Sequence, residues 1–230
     1  MAPNCYGLFN SANSPWRGFY SDSCAHPYSM QTTRFSMAIA KLIDCSPDIT
    51  QMRVGKLADE TAFLERYFST HGIDKHRRLV VMSPFTSAVR KDWPADRYAK
   101  LADYIADRHQ TQILLSHSPV DTQRAVDLST MTSAQVILSG DTGLLEYAAL
   151  LSAADLVVCN DSSALHIAAA TGTRTVAIFG PTMASEKAPC CGNVKVLTPH
   201  DDPTETGAVE EVSFERVIDA VNSQWARLTT

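Results

Sequence analysis

The segment Leu156–Thr182, LVVCNDSSALHIAAATGTRTVAIFGPT, predicts a strand, a polar turn, a helix and a second strand. It opens on Leu156–Cys159, a wholly apolar run rich in β-branched residues that is typical of a buried strand. Asn160–Ser163 follow directly, and these residue types favour the N-terminus of a helix. In open parallel sheets ligands bind at the carboxyl ends of strands, so this turn is a candidate binding site.

The second half of the segment completes one βαβ unit. Ala164–Ala170 is rich in strong helix formers, and Gly172 stands where a left-handed residue ends a helix. Thr175–Phe179 predicts another buried strand, which ends at the turn Gly180-Pro181-Thr182. Because a helix N-terminus carries unpaired N–H groups and partial positive charge, the polar turn favours an anion, most often phosphate.

Strands and helices alternate on both sides of this unit. Further strands are predicted at 79–82, 112–115, 135–138 and 194–197, with helices from Pro94, at 121–128, at 144–153 and from Ser213. This alternation predicts a doubly wound parallel sheet, an α/β fold, with about six strands.

The amino-terminal part of the sequence is less regular. Residues 1–36 have little periodicity and are predicted to be irregular, whereas 35–43 and 57–71 favour helices. Gly72 is the predicted C-cap of the second helix. A boundary near 72–78 divides the chain into an irregular and helical part, 1–75, and a Rossmann-like domain, 76–230.

Composition excludes several classes of protein. The 230 residues are 45% hydrophobic and 20% charged, with a net charge of −5 and no large basic cluster, so nucleic acid is not an expected partner. No apolar stretch is long enough to span a membrane, and the N-terminus does not resemble a secretory signal. The six cysteines include no C-x-x-C pair, which favours reduced thiols, a cytoplasmic location and no structural metal.

A second polar loop follows the strand at 79–82 and reads Ser83-Pro-Phe-Thr-Ser-Ala-Val-Arg-Lys-Asp-Trp-Pro. Thr86 and Ser87 offer hydroxyl donors, and Lys91 offers a compact cation that can meet a phosphate. The alternative is a solvated loop with a surface lysine. The loop is expected at the same edge of the sheet as Asp161, which favours the phosphate role.

Asp161 and His166 each allow a structural and a ligand-binding interpretation, and the two serines between them are candidate donors. Asp161 can cap the helix with its carboxylate and can also face a ligand, and the loop or a sugar hydroxyl is a better hydrogen-bond partner for it than a phosphate. Ser162 and Ser163 can present hydroxyls and backbone N–H groups to an anion. His166 is equally compatible with a core position and with donation to a phosphate.

Two ordered blocks resemble glycosyltransferase family 9, the heptosyltransferases of lipopolysaccharide core synthesis. The stretch from Asn160 to Thr182 resembles the family signature D-[ST]-G-x-x-H-x-A-A-A-x-x-x-P-x-[VI]-x-[LVI]-[FY]-G-P-T. Thr86-Ser87-x-x-x-Lys91, followed by Trp93-Pro94, resembles a second block. No P-loop, dinucleotide fingerprint or G-x-S-x-G motif competes with this assignment.

The sequence departs from the family pattern in three ways. Ser163 stands where the family usually has glycine, and Arg174 where it usually has proline. Nothing in residues 1–60 resembles the strand, Gly-Asp loop and acidic general base that begin the family's amino-terminal domain. The resemblance therefore implies the carboxy-terminal, donor-binding half of a GT-B glycosyltransferase with a truncated amino-terminal part.

The resemblance implies an inverting, metal-independent transfer of heptose from ADP-heptose to the lipopolysaccharide inner core, without a cofactor. It assigns Lys91 and Asp161 as catalytic and Thr86, Ser87, Ser162, Ser163 and His166 as donor-binding residues. Thr142 matches a position near the adenine, and Asp121 approaches the ribose. Peripheral contact with the inner face of the inner membrane is also expected, as are weak donor binding and little transfer by this chain alone.

Two alternatives remain open on the sequence. The chain could be a non-catalytic nucleotide-binding or interaction module, in which case an apolar face is expected to be exposed, with Trp225 as a candidate. It could also be a related transferase that uses another nucleotide-sugar.

Overall fold

The computed structural model describes residues 6–9, 22–25, 40–41, 52–189 and 191–228. Its main sheet has six strands: β3 Leu79–Ser83, β4 Gln112–Leu115, β5 Val136–Leu138, β6 Leu156–Asn160, β7 Thr175–Ile178 and β8 Val194–Leu197. The spatial order is β5-β4-β3-β6-β7-β8, and every neighbouring pair is parallel. The predicted doubly wound α/β sheet is confirmed.

Helices cover both faces of this sheet. In the described ranges they are α1 Glu60–His71, α2 Ala95–His109, α3 Thr122–Met131, α4 Leu144–Ala153, α5 Ser163–Thr171, α6 Ala184–Lys187 and α7 Phe214–Ala226. Buried side chains of α2, α3 and α7 form one core with the sheet, and those of α1, α4 and α5 form another. The central strands β3 and β6 are buried along their whole length, which explains their continuous apolar sequences.

Helix α1 ends as the sequence predicts. Gly72 takes the left-handed conformation, with φ of 67°, and its N–H donates to the carbonyl of Phe68. Phe63 and Tyr67 are buried against the sheet, and the Tyr67 hydroxyl donates to the Ser139 carbonyl at 2.5 Å. The helix that precedes β3 thus shares a core with the sheet.

Two short strands occur where the sequence predicts irregular structure. β1 Tyr6–Phe9 and β2 Asp22–Ala25 pair in parallel, so the prediction is wrong for these residues. Four-residue strands are too short to establish a clear period of two, and their backbone pairing depends on a partner distant in sequence. The helix predicted at 35–43 lies outside the described residues, except for the helical residues 40–41.

Within the described ranges, no helix has both the length and the apolar character needed to cross a bilayer.

Helix α7 is anchored at the amino edge of the sheet by a stack of rings. Trp225 lies against His109 with ring centroids 4.3 Å apart, and Tyr104 meets the same histidine edge-on at 6.4 Å. Trp225 is thus packed against α2 and is not the exposed apolar residue that an interaction module would predict. Burial lowers the pKa of His109, with a smaller opposing contribution from Asn222.

We expect His109 to make the folded state sensitive to acid. Since its folded pKa lies below the unfolded value of about 6.5, the unfolded chain binds the proton first. The contribution of neutral His109 to stability is complete above about pH 6.5, the unfolded pKa, and is lost as the pH falls through the folded pKa. We expect the free energy of unfolding, measured with urea, to fall between pH 7.5 and 5.5. This fall should be smaller for His109→Gln than for the unchanged chain. His76→Gln, on an exposed turn, is the control for replacing a histidine, and equal pH dependence in all three proteins would contradict the assignment.

Candidate functional site

The direction in which successive strands are added to the sheet reverses between β3 and β6. From β3 the strands proceed to β4 and β5 on one side, and from β6 they proceed to β7 and β8 on the other. The loops after β3 and β6 therefore leave in opposite directions and open a crevice at their carboxyl ends. In sheets of this order, ligands bind at that crevice.

Asn160, the last residue of β6, ties the two sides of this crevice together. Its side chain is fully buried, and its amide nitrogen donates to the Pro84 carbonyl at 2.6 Å. Its amide oxygen accepts the Tyr98 hydroxyl at 3.1 Å and the Trp93 N–H at 3.3 Å. The loop after β3 is thus fixed at both ends to the end of β6.

Lys91 and Asp161 meet at the mouth of the crevice. The Lys91 Nζ lies 2.6 Å from Asp161 Oδ2, and the side chains are 23% and 8% exposed. The Thr182 hydroxyl donates to the same carboxylate oxygen at 2.8 Å. Three strands therefore contribute to one cluster: Lys91 follows β3, Asp161 follows β6 and Thr182 follows β7.

The helix that begins here, α5, has Ser162 as its N-cap, so the interpretation of Asp161 as the capping residue is wrong. The Asp161 carboxylate is directed to Lys91 and Thr182 instead. Ser162 makes no side-chain capping bond, and its hydroxyl is buried without a hydrogen-bond partner in the described part of the chain. Ser163, the first residue of α5, is exposed. A helix start with a polar hydroxyl lacking a partner favours an anionic ligand.

His166 lies one turn further along α5 and is half-buried. Burial lowers the pKa of His166, and the negative charge of Asp161 opposes that shift. The imidazole is therefore mainly neutral near pH 7 and carries one N–H that it can donate. Both interpretations of this residue, core position and phosphate donor, remain compatible with this environment.

The loop after β3 holds its own shape through Thr86. The Thr86 hydroxyl donates to the Ala88 carbonyl at 2.8 Å and accepts the Ala88 N–H at 3.1 Å. The Thr86 N–H donates to Asp92 Oδ1 at 2.8 Å. Ser87 is exposed at the tip of the same turn. Thr86 therefore shapes the turn, whereas Ser87 is the hydroxyl accessible to a ligand.

Asp121 and Thr142 lie one and two strands away from this cluster. Asp121 precedes α3, and its two carboxylate oxygens accept bonds from Arg124 at 2.8 Å and from the Ser118 hydroxyl at 2.5 Å. Thr142 lies in the loop between β5 and α4 and is partly exposed. Both share the carboxyl edge with Lys91, and a ligand would have to extend along the edge to reach them.

Three apolar side chains are exposed along this same edge. Val89, Val120 and Leu144 are 71%, 89% and 67% exposed, and they lie in the segments that follow β3, β4 and β5. We refer to these three side chains, each in a loop or helix start at the carboxyl edge, as the apolar rim. Such a rim suits a planar base or an apposed protein surface.

Sequence reasoning did not identify Asn160 or Thr182 as functional residues. An asparagine at the end of an otherwise apolar buried strand is a usable signal, because a buried amide requires partners. Thr182 gives a weaker signal: its role depends on β7 lying beside β6, which only the strand order establishes.

Comparison with known proteins gives a consistent result. A family model described as glycosyltransferase family 9 (heptosyltransferase) matches residues 3–217. The chain is 26% identical over 179 residues to the lipopolysaccharide core heptosyltransferase OpsX of Haemophilus influenzae. That alignment covers 76% of this chain and 49% of OpsX, so the chain spans about half the length of this relative.

Solved structures show the same fold. A family 9 glycosyltransferase from Veillonella parvula superimposes with a TM-score of 0.81 at 19% identity, covering 92% of this chain and 65% of that protein. The Escherichia coli heptosyltransferase WaaC with ADP gives a TM-score of 0.68 at 20% identity, covering 95% of this chain and 65% of WaaC.

Proposed function

The chain belongs to glycosyltransferase family 9, the heptosyltransferases, and we propose that it acts in transfer of heptose from ADP-heptose to the lipopolysaccharide inner core. The proposed transfer is inverting and needs no metal, and it takes place on the cytoplasmic side of the inner membrane. The proposal rests on the family and on one observation. Lys91, which is paired with Asp161, lies beside the N-terminus of α5, which has no side-chain cap, at the carboxyl ends of β3 and β6 where the strand order reverses.

In this proposal the crevice binds the diphosphate of the donor. The Lys91 ammonium has three N–H donors, and one of them is directed to Asp161, which leaves the others for phosphate oxygens. The N–H groups at the start of α5 and the Ser162 hydroxyl add donors from the other side. Asp161 is the residue that orients Lys91 and is itself oriented by Thr182.

The same groups would assist the reaction. The acceptor hydroxyl attacks the anomeric carbon, its proton passes to a base, and the bond from that carbon to the diphosphate oxygen breaks. ADP leaves with the bonding electrons, so negative charge grows on the diphosphate in the transition state. Donors already aimed at that position stabilise the growing charge without having to reorganise.

Nucleotide binding by the chain tests this proposal. Calorimetric titration should show a higher affinity for ADP than for UDP or GDP. Lys91→Gln removes the cation and keeps an N–H donor for Asp161, and we expect it to lower ADP affinity by about tenfold or more.

The matched control is Lys100→Gln, which changes an exposed lysine on α2 that pairs with Asp96. It should leave ADP affinity unchanged. Equal affinity for the three nucleotides, or an effect of Lys91→Gln no larger than that of Lys100→Gln, would contradict the proposal.

One observation supports a second candidate, a non-catalytic interaction module. The apolar rim of Val89, Val120 and Leu144 is exposed next to the crevice, where a partner protein could pack. No measurable binding of ADP, UDP or GDP would favour this candidate, whereas preference for UDP or GDP would favour a transferase with another nucleotide-sugar.

A further inference from the structure

Arg124 connects two loops at the edge of the proposed site. It lies in the first turn of α3, and one guanidinium nitrogen is 2.5 Å from Asp92 Oδ2 while the other is 2.8 Å from Asp121 Oδ1. Asp92 belongs to the loop after β3, and Asp121 ends the loop after β4. A single planar side chain therefore bridges carboxylates from two separate loops.

The bridge continues into the backbone of the loop that carries Lys91. Asp92 directly follows Lys91, and its second oxygen, Oδ1, accepts the Thr86 N–H at 2.8 Å. The Asp92 carboxylate thus closes the loop from residue 86 to residue 92, and Arg124 fixes that carboxylate from outside. Asp92 is only 8% exposed, so water does not readily replace the arginine.

The environment of Arg124 favours a permanent charge in a fixed orientation. Burial opposes the charged form, but hydrogen bonds and negative charge from Asp92 and Asp121 outweigh it and raise the pKa of the guanidinium. The Arg124 guanidinium carbon also lies 4.4 Å from the centroid of the Phe85 ring. Lysine could neither span both carboxylates nor stack on the ring in this way.

We propose that Arg124 is a positioning residue that holds the loop after β3 so that Lys91 presents its ammonium to the diphosphate. The inference rests on the proposed function, which supplies the diphosphate. Arg124 acts through Asp92 and the loop, because both of its terminal nitrogens are already bound to carboxylates. A residue that acts only through Lys91 should lose its effect once Lys91 is gone.

A double-mutant cycle on ADP affinity tests this dependence. We expect Arg124→Met to weaken ADP binding by about tenfold, and the double variant Arg124→Met with Lys91→Gln to match Lys91→Gln alone within about twofold. Arg124→Lys keeps the charge but not the bridge, and it should resemble Arg124→Met. Adenosine, which lacks the diphosphate, should bind all these variants equally.

Hydrogen exchange in the nucleotide-free protein gives a second measurement. The Thr86 N–H should exchange about tenfold faster in Arg124→Met, because its acceptor Asp92 is released. The matched control is Arg78→Met, which removes an arginine paired with Asp155 at the opposite edge of the sheet. Neither ADP affinity nor Thr86 exchange should change in that control.

Three results would overturn the inference. Additive losses in the double variant would mean that Arg124 acts independently of Lys91, and recovery in Arg124→Lys would mean that its charge alone matters. Unchanged Thr86 exchange in Arg124→Met would mean that the bridge does not hold the loop. Failure of the unchanged chain to bind ADP would instead contradict the proposed function, and the exchange measurement would still decide whether Arg124 fixes the loop.

Discussion

Asn160→Leu is expected to lower the free energy of unfolding by about 3 kcal/mol, because it leaves several buried polar groups without a partner. Leucine has the same number and branching of side-chain heavy atoms as asparagine but can neither donate to the Pro84 carbonyl nor accept from Trp93 N–H and the Tyr98 hydroxyl. All three bonds are buried beneath the two loops, so water cannot easily replace them once they are lost. Urea denaturation at pH 7 measures the loss.

Asn222→Leu is the matched control for this substitution. Asn222 is only partly buried, and its side chain bonds to the Tyr104 hydroxyl and to His109 near the surface, where water can replace both partners. Its replacement should cost about 1 kcal/mol or less. Equal losses in the two variants would show that the Asn160 cluster has no special role in joining the two loops.

Gly180→Ala is expected to destabilise the protein by about 3 kcal/mol through overpacking. A Cβ at this position would lie 2.6 Å from the Val209 Cβ and 2.7 Å from its Cα and N. Two of those three atoms are backbone, so no rotation of a side chain can relieve the contact. The Gly180 carbonyl also accepts the Gly207 N–H at 3.1 Å, and that bond would be displaced with the turn.

Gly192→Ala is the control for backbone freedom, since a Cβ at Gly192 meets nothing within 4 Å. It should leave stability unchanged or raise it slightly, because alanine restricts the unfolded chain. Thermal denaturation of both variants separates the steric overlap from the effect of alanine on the unfolded chain. A loss in Gly192→Ala as large as in Gly180→Ala would contradict the steric explanation.

The parallel sheet could be predicted from the sequence because its strands are buried on both faces and therefore have continuous apolar sequences. Leu156–Cys159 and Leu79–Met82 have no polar residue, and the alternation of such runs with helices admits few other folds. The ends of elements were less certain: Pro94, expected as the first helical residue, is the N-cap of α2. Helix propensity changes little from one residue to the next at a helix boundary, so the first helical residue is predicted only to within a residue or two.

The site could be predicted only in part. The motif places Lys91, Asp161 and Ser162 at one edge, and the structure brings them together there. The direction of the Asp161 carboxylate was not predictable, because a capping role and a tertiary ion pair are equally compatible with the local sequence. Its partner Thr182 and the bridge through Arg124 both depend on contacts between segments far apart in the chain.

The pairing of Lys91 with Asp161 has a consequence for turnover under the proposed function. An arriving diphosphate meets an ammonium that already has a counterion, so the gain in electrostatic energy on binding is moderated. When ADP departs, the carboxylate remains beside the ammonium and the vacated pocket keeps no isolated charge. The arrangement therefore favours rapid product release at the expense of tight nucleotide retention.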